Sequence, residues 1–246
     1  YENEVDNYRQ THYQLHYSHQ LSDITNFSIA GHYTHGEGYF EQEKFDQSFV
    51  NYGLNNIVIG NDTITETNLI RRKWLNNDFG GFTYSLNHKM GDLDLTFGGA
   101  NSTYSGQHYG NVIWAQYSSN ASLNHQYYWN KAEKLDNNFF AKANYKYSES
   151  TQVYIDLQRR IIDYVFEGLD ANGNPDEQEI NLQFFNPKFG LHHTLNKNQV
   201  IYASFGVANK EPNRSDYTES SADSRPTHET LYDTEVGYKQ VGDKMT

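Results

Sequence analysis

The chain has 246 residues and a formal net charge of -12, with 21 Tyr, 14 Phe, 18 Gly, 4 Pro, 2 Met and no cysteine. The acid excess disfavours a nucleic-acid partner, and the absence of thiols excludes disulfides, zinc-thiolate sites and cysteine catalysis. No run of 18 apolar residues marks a transmembrane helix, yet at 36% hydrophobic residues the chain has too little Val, Ile and Leu for two packed layers of a water-soluble core.

Low hydropathy with net charge is a signature of disorder, but 15% aromatics at regular spacing speak for order, in strands. In chain order, Tyr13, Leu15 and Tyr17 alternate with Gln14, His16 and Ser18, then Phe27, Ile29 and Tyr33 follow the turn "LSDI". Phe82, Tyr84 and Leu86 lead through "HKMGD" to Leu93, Leu95 and Phe97. Phe139, Ala141, Tyr145 and Tyr147 lead through "SEST" to Val153, Ile155 and Leu157. Phe189, Leu191 and Leu195 lead through "NKNQ" to Ile201, Ala203, Phe205 and Val207, and "ETLYDTEVGYK" makes a ninth strand with Tyr232, Val236 and Tyr238 on one face. Each is a hairpin arm with one apolar side.

Short turns fall near Ser22, Met90, Glu149 and Lys197, and between them lie long connections at about 36–68, 106–133, 168–180 and 211–228. Short and long alternate without exception. A β-sandwich has no reason to sort its loops this way; a transmembrane β-barrel does, with short periplasmic turns and long extracellular loops. Barrel strands cross lipid in ~9–11 tilted residues, every second one facing outward, so a hydrophilic chain can span a membrane many times. The expected fold is therefore all-β, an antiparallel up-and-down barrel segment of about nine strands. Two positions strain it. Arg159 has lipid-facing parity, which predicts a β-bulge at Arg159-Arg160 turning both arginines inward and sending Ile162, Tyr164 and Phe166 outward. Pro187 lacks a ladder donor and suits a bulge or strand start.

The stretch "FFNPKFGLHHTLNKNQVIYASFGVANKEPNRSDYTES", followed by "ETLYDTEVGYK", resembles the C-terminal half of TonB-dependent outer-membrane receptors. The match rests on Asn186, Pro187, Lys188, Gly190, then Tyr202, Ala203, Ser204, Gly206, Ala208, then Glu211, Pro212, Asn213, Arg214, Asp216, Tyr217, and finally Glu229, Glu235, Gly237, Tyr238 and Lys239. The resemblance implies a barrel of about 22 strands, an N-terminal plug domain and energy from the inner-membrane TonB complex. Residues 1–246 then read as a partial barrel domain: the chain opens "YENEVDNYRQ", ends "GDKMT", and carries no plug, TonB box or terminal aromatic. Nine strands of a wide barrel cannot close on themselves.

The connection 106–133 is the most aromatic, and Tyr109, Trp114, Tyr117, Tyr127 and Trp129 are candidates to stack on a sugar or an aromatic siderophore. Arg214 and Asp216 in "NRSDY" are candidates to face the substrate cavity or to pair at its rim. Asp170, Asn172, Asn174 and Asp176 alternate as in a calcium loop, but Pro175 and Asn181 replace the Gly and Glu such loops need. His12, His16 and His32 share the inward parity, and with His192 and His193 read as hydrogen-bonding residues rather than ligands of one ion. No phosphate loop, nucleophile elbow or paired-carboxylate arrangement is present, so the expectation is a non-enzyme with no cofactor. The function read from all this is TonB-energised uptake of a nutrient such as a ferric siderophore, haem, vitamin B12 or glycan across a bacterial outer membrane. The acidic balance leans against a strongly anionic ligand. Two other classes fit parts of the pattern: a soluble carbohydrate-binding β-sandwich, and a small closed barrel acting as a pore or adhesin.

Overall fold

The computed structural model describes residues 4–169, 175, 177–220 and 224–242. Nine strands form one antiparallel sheet in which nearly every strand pairs with its chain neighbours. They are β1 (Asp6–Ser22), β2 (Thr25–Ser48), β5 (Glu66–Met90), β6 (Leu93–Ala115), β7 (His125–Lys146), β8 (Thr151–Gly168), β9 (Gln178–Asn196), β10 (Gln199–Lys210) and β11 (Glu229–Gln240). Among the described residues the sole interruption is a small hairpin of β3 (Ile57–Ile59) and β4 (Asp62–Ile64), inserted between β2 and β5. One helix, α1 (Arg214–Thr218), follows β10. Among the described residues the sheet does not close: β1 and β11 are its edges.

The turns at one end are tight because the sequence allows it. Between Met90 and Leu93 the chain reverses over Gly91 and Asp92, with Gly91 at φ +60°. Positive φ at the first central residue is the II′ geometry, which matches strand twist and favours glycine there.

Pleating separates two faces. On one lie Leu15 and Tyr17, Phe82, Phe97, Tyr145, Ile155 and Leu157, Phe189 and Leu191, all more than a third exposed. They form a continuous band across the sheet, next to the short turns, and no second sheet of the described residues covers it. Their neighbours on the other face are Asn144, Lys146, Gln152, Asp156 and Lys188, which pair in register across β7, β8 and β9. The sandwich alternative required those apolar residues to be buried between sheets; Ile155 is 49% exposed.

Three expectations are corrected. First, the strands run far past the band. β2, β5, β6 and β7 are 24, 25, 23 and 22 residues long, and the first three connections shrink to 49–65, 116–124 and 169–177, while the fourth stays at 211–228. Beyond the band both faces mix polar, aromatic and aliphatic residues, so alternation fades while the backbone ladder continues. Secondly, there is no bulge at Arg159-Arg160: β8 keeps one register with β7 and with β9 throughout. Arg159 stays on the apolar face, opposite Phe139 and Phe185, and donates to Gln183 Oε1 at 2.8 Å. Arg160, Ile162, Tyr164 and Phe166 take the polar face, where Ile162 and Phe166 are fully buried under α1 and its approach.

Thirdly, Pro187 sits inside β9, opposite Leu157. The β9–β10 ladder ends at Lys188–Gly206, one residue short of it. Beyond that point a side chain replaces the backbone: Asn186 Oδ1 accepts from the Asn209 amide (3.2 Å) and from Asn209 Nδ2 (2.7 Å), while its own Nδ2 donates to Gln158 Oε1 (2.9 Å). Asn186 is 8% exposed, so Asn186→Ala is expected to cost about 1–3 kcal/mol and to speed hydrogen exchange at the Asn209 amide. Unchanged protection there would contradict this role for the Asn-Pro pair.

Candidate functional site

Two connections fold back over the polar face at the far end of the strands. In the first, Phe49, Tyr52 and Leu54 are almost wholly buried against Leu69, Val112, Tyr127 and Tyr128. Each large side chain so buried contributes about 1.5–3 kcal/mol. Tyr127 and Tyr128 both reach this core because β7 bulges there: Gly110 pairs with Tyr128 but Asn111 with Gln126. Their rings close over Gly110, where any Cβ would run into them. The His125 ring fastens the roof by its Nε2 to the Tyr52 carbonyl at 2.7 Å.

The second is the arm 211–218, built from "EPNRSDYT". Glu211 Oε1 accepts from Lys134 Nζ (2.6 Å) and Arg160 Nη2 (3.2 Å). Arg160 also grips Asp136 through Nε (3.0 Å) and Nη2 (2.6 Å), a two-pronged guanidinium–carboxylate contact. Asn213 and Asp216 form a reciprocal capping box, with the Asn213 amide donating to Asp216 Oδ2 at 2.7 Å. Tyr217 is buried on Ala132, Phe166 and Ile180. Arg214 Nη1 donates to Asn130 Oδ1 at 3.2 Å, and its guanidinium lies 4.9 Å from the centre of the Phe166 ring. The run of residues that carries the family resemblance is thus a folded-in strut.

Between roof and arm lies a cleft of about 760 Å³, lined by Tyr8, Phe40, Lys73, His108, Tyr128 and Arg214, with Asp6 also on its wall. Lys73 precedes Phe82 by nine positions, so the cleft stands past the apolar band. Burial pushes the Lys73 ammonium below its ordinary range, and the charges of Arg71 and Lys44 push it further. Burial, then Arg214, lowers His108 as well, favouring its neutral form.

The residues singled out in the sequence do not converge. Arg214 alone lines the cleft, while Asp216 caps α1. Tyr127 belongs to the roof core. Tyr109 and Trp129, which the sequence put in a loop, are strand residues paired across β6 and β7 on the apolar-band face. There Tyr109 stacks on Trp74 (5.8 Å, 7°), and Trp74 meets Tyr39 at 4.5 Å. Trp114, at the end of β6, is 49% exposed, and Tyr117 in the connection beyond it is 39% exposed. Asp170, Asn172, Asn174 and Asp176 lie outside the described residues. His12 bonds Thr34 (2.9 Å), His193 bonds Thr151 (2.8 Å) and His32 rests on Phe79 (4.9 Å). No three His, Asp or Glu among the described residues gather as metal ligands. Lys73 and Tyr8 were missed. The signal for Lys73 was present, since Arg71-Arg72-Lys73 is the only run of three cations in an acidic chain.

No protein-family profile matches the chain, and no curated protein matches it. Solved structures do. The ferric-catecholate import receptor Fiu from E. coli K12 superposes with TM-score 0.65 at 13% identity, over 99% of this chain. The copper transporter OprC gives 0.68 at 14% over 96%, and the ferric citrate transporter FecA 0.60 at 13% over 95%. The chain spans only 40%, 37% and 32% of those three chains, respectively. At such identities the fold is what is shared: the nine-stranded sheet is built like a section of each of those three proteins.

Proposed function

We propose that the chain is a section of the barrel of an outer-membrane receptor that imports a scarce nutrient, energised by TonB through a plug domain carried elsewhere in the protein. The observation that carries this reading is the band of exposed apolar side chains beside the short turns, with a polar face behind it. In water such a band is an aggregation liability; against lipid it is the outer surface of a barrel. The strands rising past the band and the two in-folded connections make a wall and mouth on the other side. The matched receptors and transporters, whose names specify iron chelates and copper, support the same class; the whole barrel in this reading has about 22 strands. Iron chelates are the leading substrates.

The test uses the complete receptor in a Gram-negative host. It is expected to fractionate with the outer membrane and to accumulate radiolabelled iron chelate only while TonB is intact. Recovery in the soluble fraction, or uptake indifferent to TonB, would sink the reading.

A further inference from the structure

The band-side face carries a second aromatic feature, on the opposite side of the sheet from the cleft. Tyr39 of β2, Trp74 of β5 and Tyr109 of β6 lie in one cross-strand row, with successive ring centres 4.5 and 5.8 Å apart. The Arg72 guanidinium lies 4.3 Å from the centre of the Tyr39 ring at the end of the row. This stack holds Tyr109 from one side. On its other side stands Trp129 of β7, opposite it in register and on the same face. Both are partly exposed. Among the described residues Trp129 meets no other ring, and its indole N–H has no acceptor. The next row towards the band is polar, with one anion and one cation: Glu37, Asn76, Gln107 and Lys131. Lys131 pairs with Glu133 of its own strand, whereas the Asn76 and Gln107 side chains have no hydrogen-bond partner among the described residues. An interfacial girdle does not account for these rings, because girdle rings sit where the apolar surface ends. On β7 the last exposed aliphatic residue of this face is Leu135, and Glu133 and Lys131 come between it and Trp129. That separation is ~20 Å along the strand at ~3.3 Å per residue. On β5, Asp78 and Asn76 set Trp74 apart from the band in the same way.

We propose that Tyr109 and Trp129 form a carbohydrate site on the outside of the wall, which holds a neutral pyranose of the sugar-bearing lipids around the barrel. A pyranose offers a flat C–H face to an aromatic ring and hydroxyls to the Gln107 amide and the Trp129 indole N–H. The balanced charge of the polar row suits uncharged sugars rather than phosphates. Position selects the source: a ligand in the lumen does not meet this face, whereas glycolipid sugars stand directly above the acyl layer and against it. The proposal rests on the receptor reading, since it takes the band as the lipid-facing surface.

The test uses the complete receptor in phosphatidylcholine nanodiscs, which contain no sugar. It is titrated with dephosphorylated core oligosaccharide from lipopolysaccharide and, separately, with maltoheptaose, a soluble glucose chain. The core oligosaccharide is expected to bind saturably and more tightly than maltoheptaose. Trp129→Ala should weaken it about ten-fold, the loss of one stacking contact, Gln107→Ala should weaken it less, and Trp129→Phe should restore most of the affinity. A residue that merely packs the sheet would change folding and leave the affinity of the folded fraction alone. Affinity of the unaltered receptor should be indifferent to NaCl, because no ion pair is used, a readout that stands even where a variant fails to assemble. No binding of the core oligosaccharide, equal binding by Trp129→Ala, a steep salt dependence, or a preference for maltoheptaose would overturn the proposal. Each of these leaves the receptor reading intact while iron uptake still requires TonB, whereas a receptor absent from the outer membrane defeats both.

Discussion

Replacing Ile155 with arginine is expected to destabilise the receptor in a bilayer by about 2–4 kcal/mol, the penalty for a cation on the lipid face near mid-membrane. Ile155 sits in the middle of the apolar band, between Ala143 of β7 and Phe189 of β9. The same substitution tests the environment directly, because Ile155 is 49% exposed and in water an exposed Ile→Arg change falls within about ±0.5 kcal/mol. Gln152→Arg, three residues away on the polar face, is the control and should be close to neutral. The measurement is urea titration of the complete receptor in phospholipid vesicles, scored by the shift in gel migration that folded barrels lose on heating. Equal tolerance at both positions would mean that lipid does not contact the band.

The second large effect belongs to Glu211. Glu211→Ala leaves Lys134 without its carboxylate and Arg160 with Asp136 alone. All four side chains are about a quarter exposed or less, so the loss is set below that of a fully buried pair, at about 1–3 kcal/mol. The damage should be local: faster hydrogen exchange over 211–218, and with it loss of the Arg214 position over Phe166. Combining Glu211→Ala with Arg160→Ala in a double-mutant cycle should return a coupling of about 0.5–2 kcal/mol, since both changes act on one network. Additive losses would show that the arm is held by Tyr217 packing instead.

What could be read from the residues alone follows the solvent. Where one face meets an apolar surrounding and the other a polar one, alternation is strong, and Leu93, Tyr145, Ile155 and Phe189 could be placed on the correct side by parity. Past the band that contrast vanishes. Glu37, Asn76, Gln107 and Lys131 occupy the band-side face of β2, β5, β6 and β7, so nothing in local polarity distinguishes strand from loop. That is why Tyr109 and Trp129 were assigned to a connection and why the strands came out too short. Arg159 misled for a related reason: a single charge on the greasy side invited a bulge, but two flanking phenylalanines and Gln183 accommodate it without one. The cleft was hidden for another reason, since its walls come from β1, β2, β5, β6, β7 and α1, and only the assembled sheet brings Tyr8 within reach of Arg214. The "EPNR" run could be spotted by resemblance; its role as a strut becomes visible only with Arg160 and Lys134 beside it.

The roof over the cleft has one more consequence. Phe49 and Tyr52, at 0% and 2% exposed, form a miniature oil drop that owes its cohesion to water, whereas in the proposed barrel the band below would face lipid. The molecule therefore answers to two solvents. Hydrophobic cohesion in water weakens on cooling and in urea, while a backbone ladder held in a membrane, as proposed for this sheet, would have no water to compete for its hydrogen bonds. Urea added from outside is expected to dissolve the roof first and leave the wall standing, so that the mouth loses its shape, and its ligand, well before the barrel unfolds.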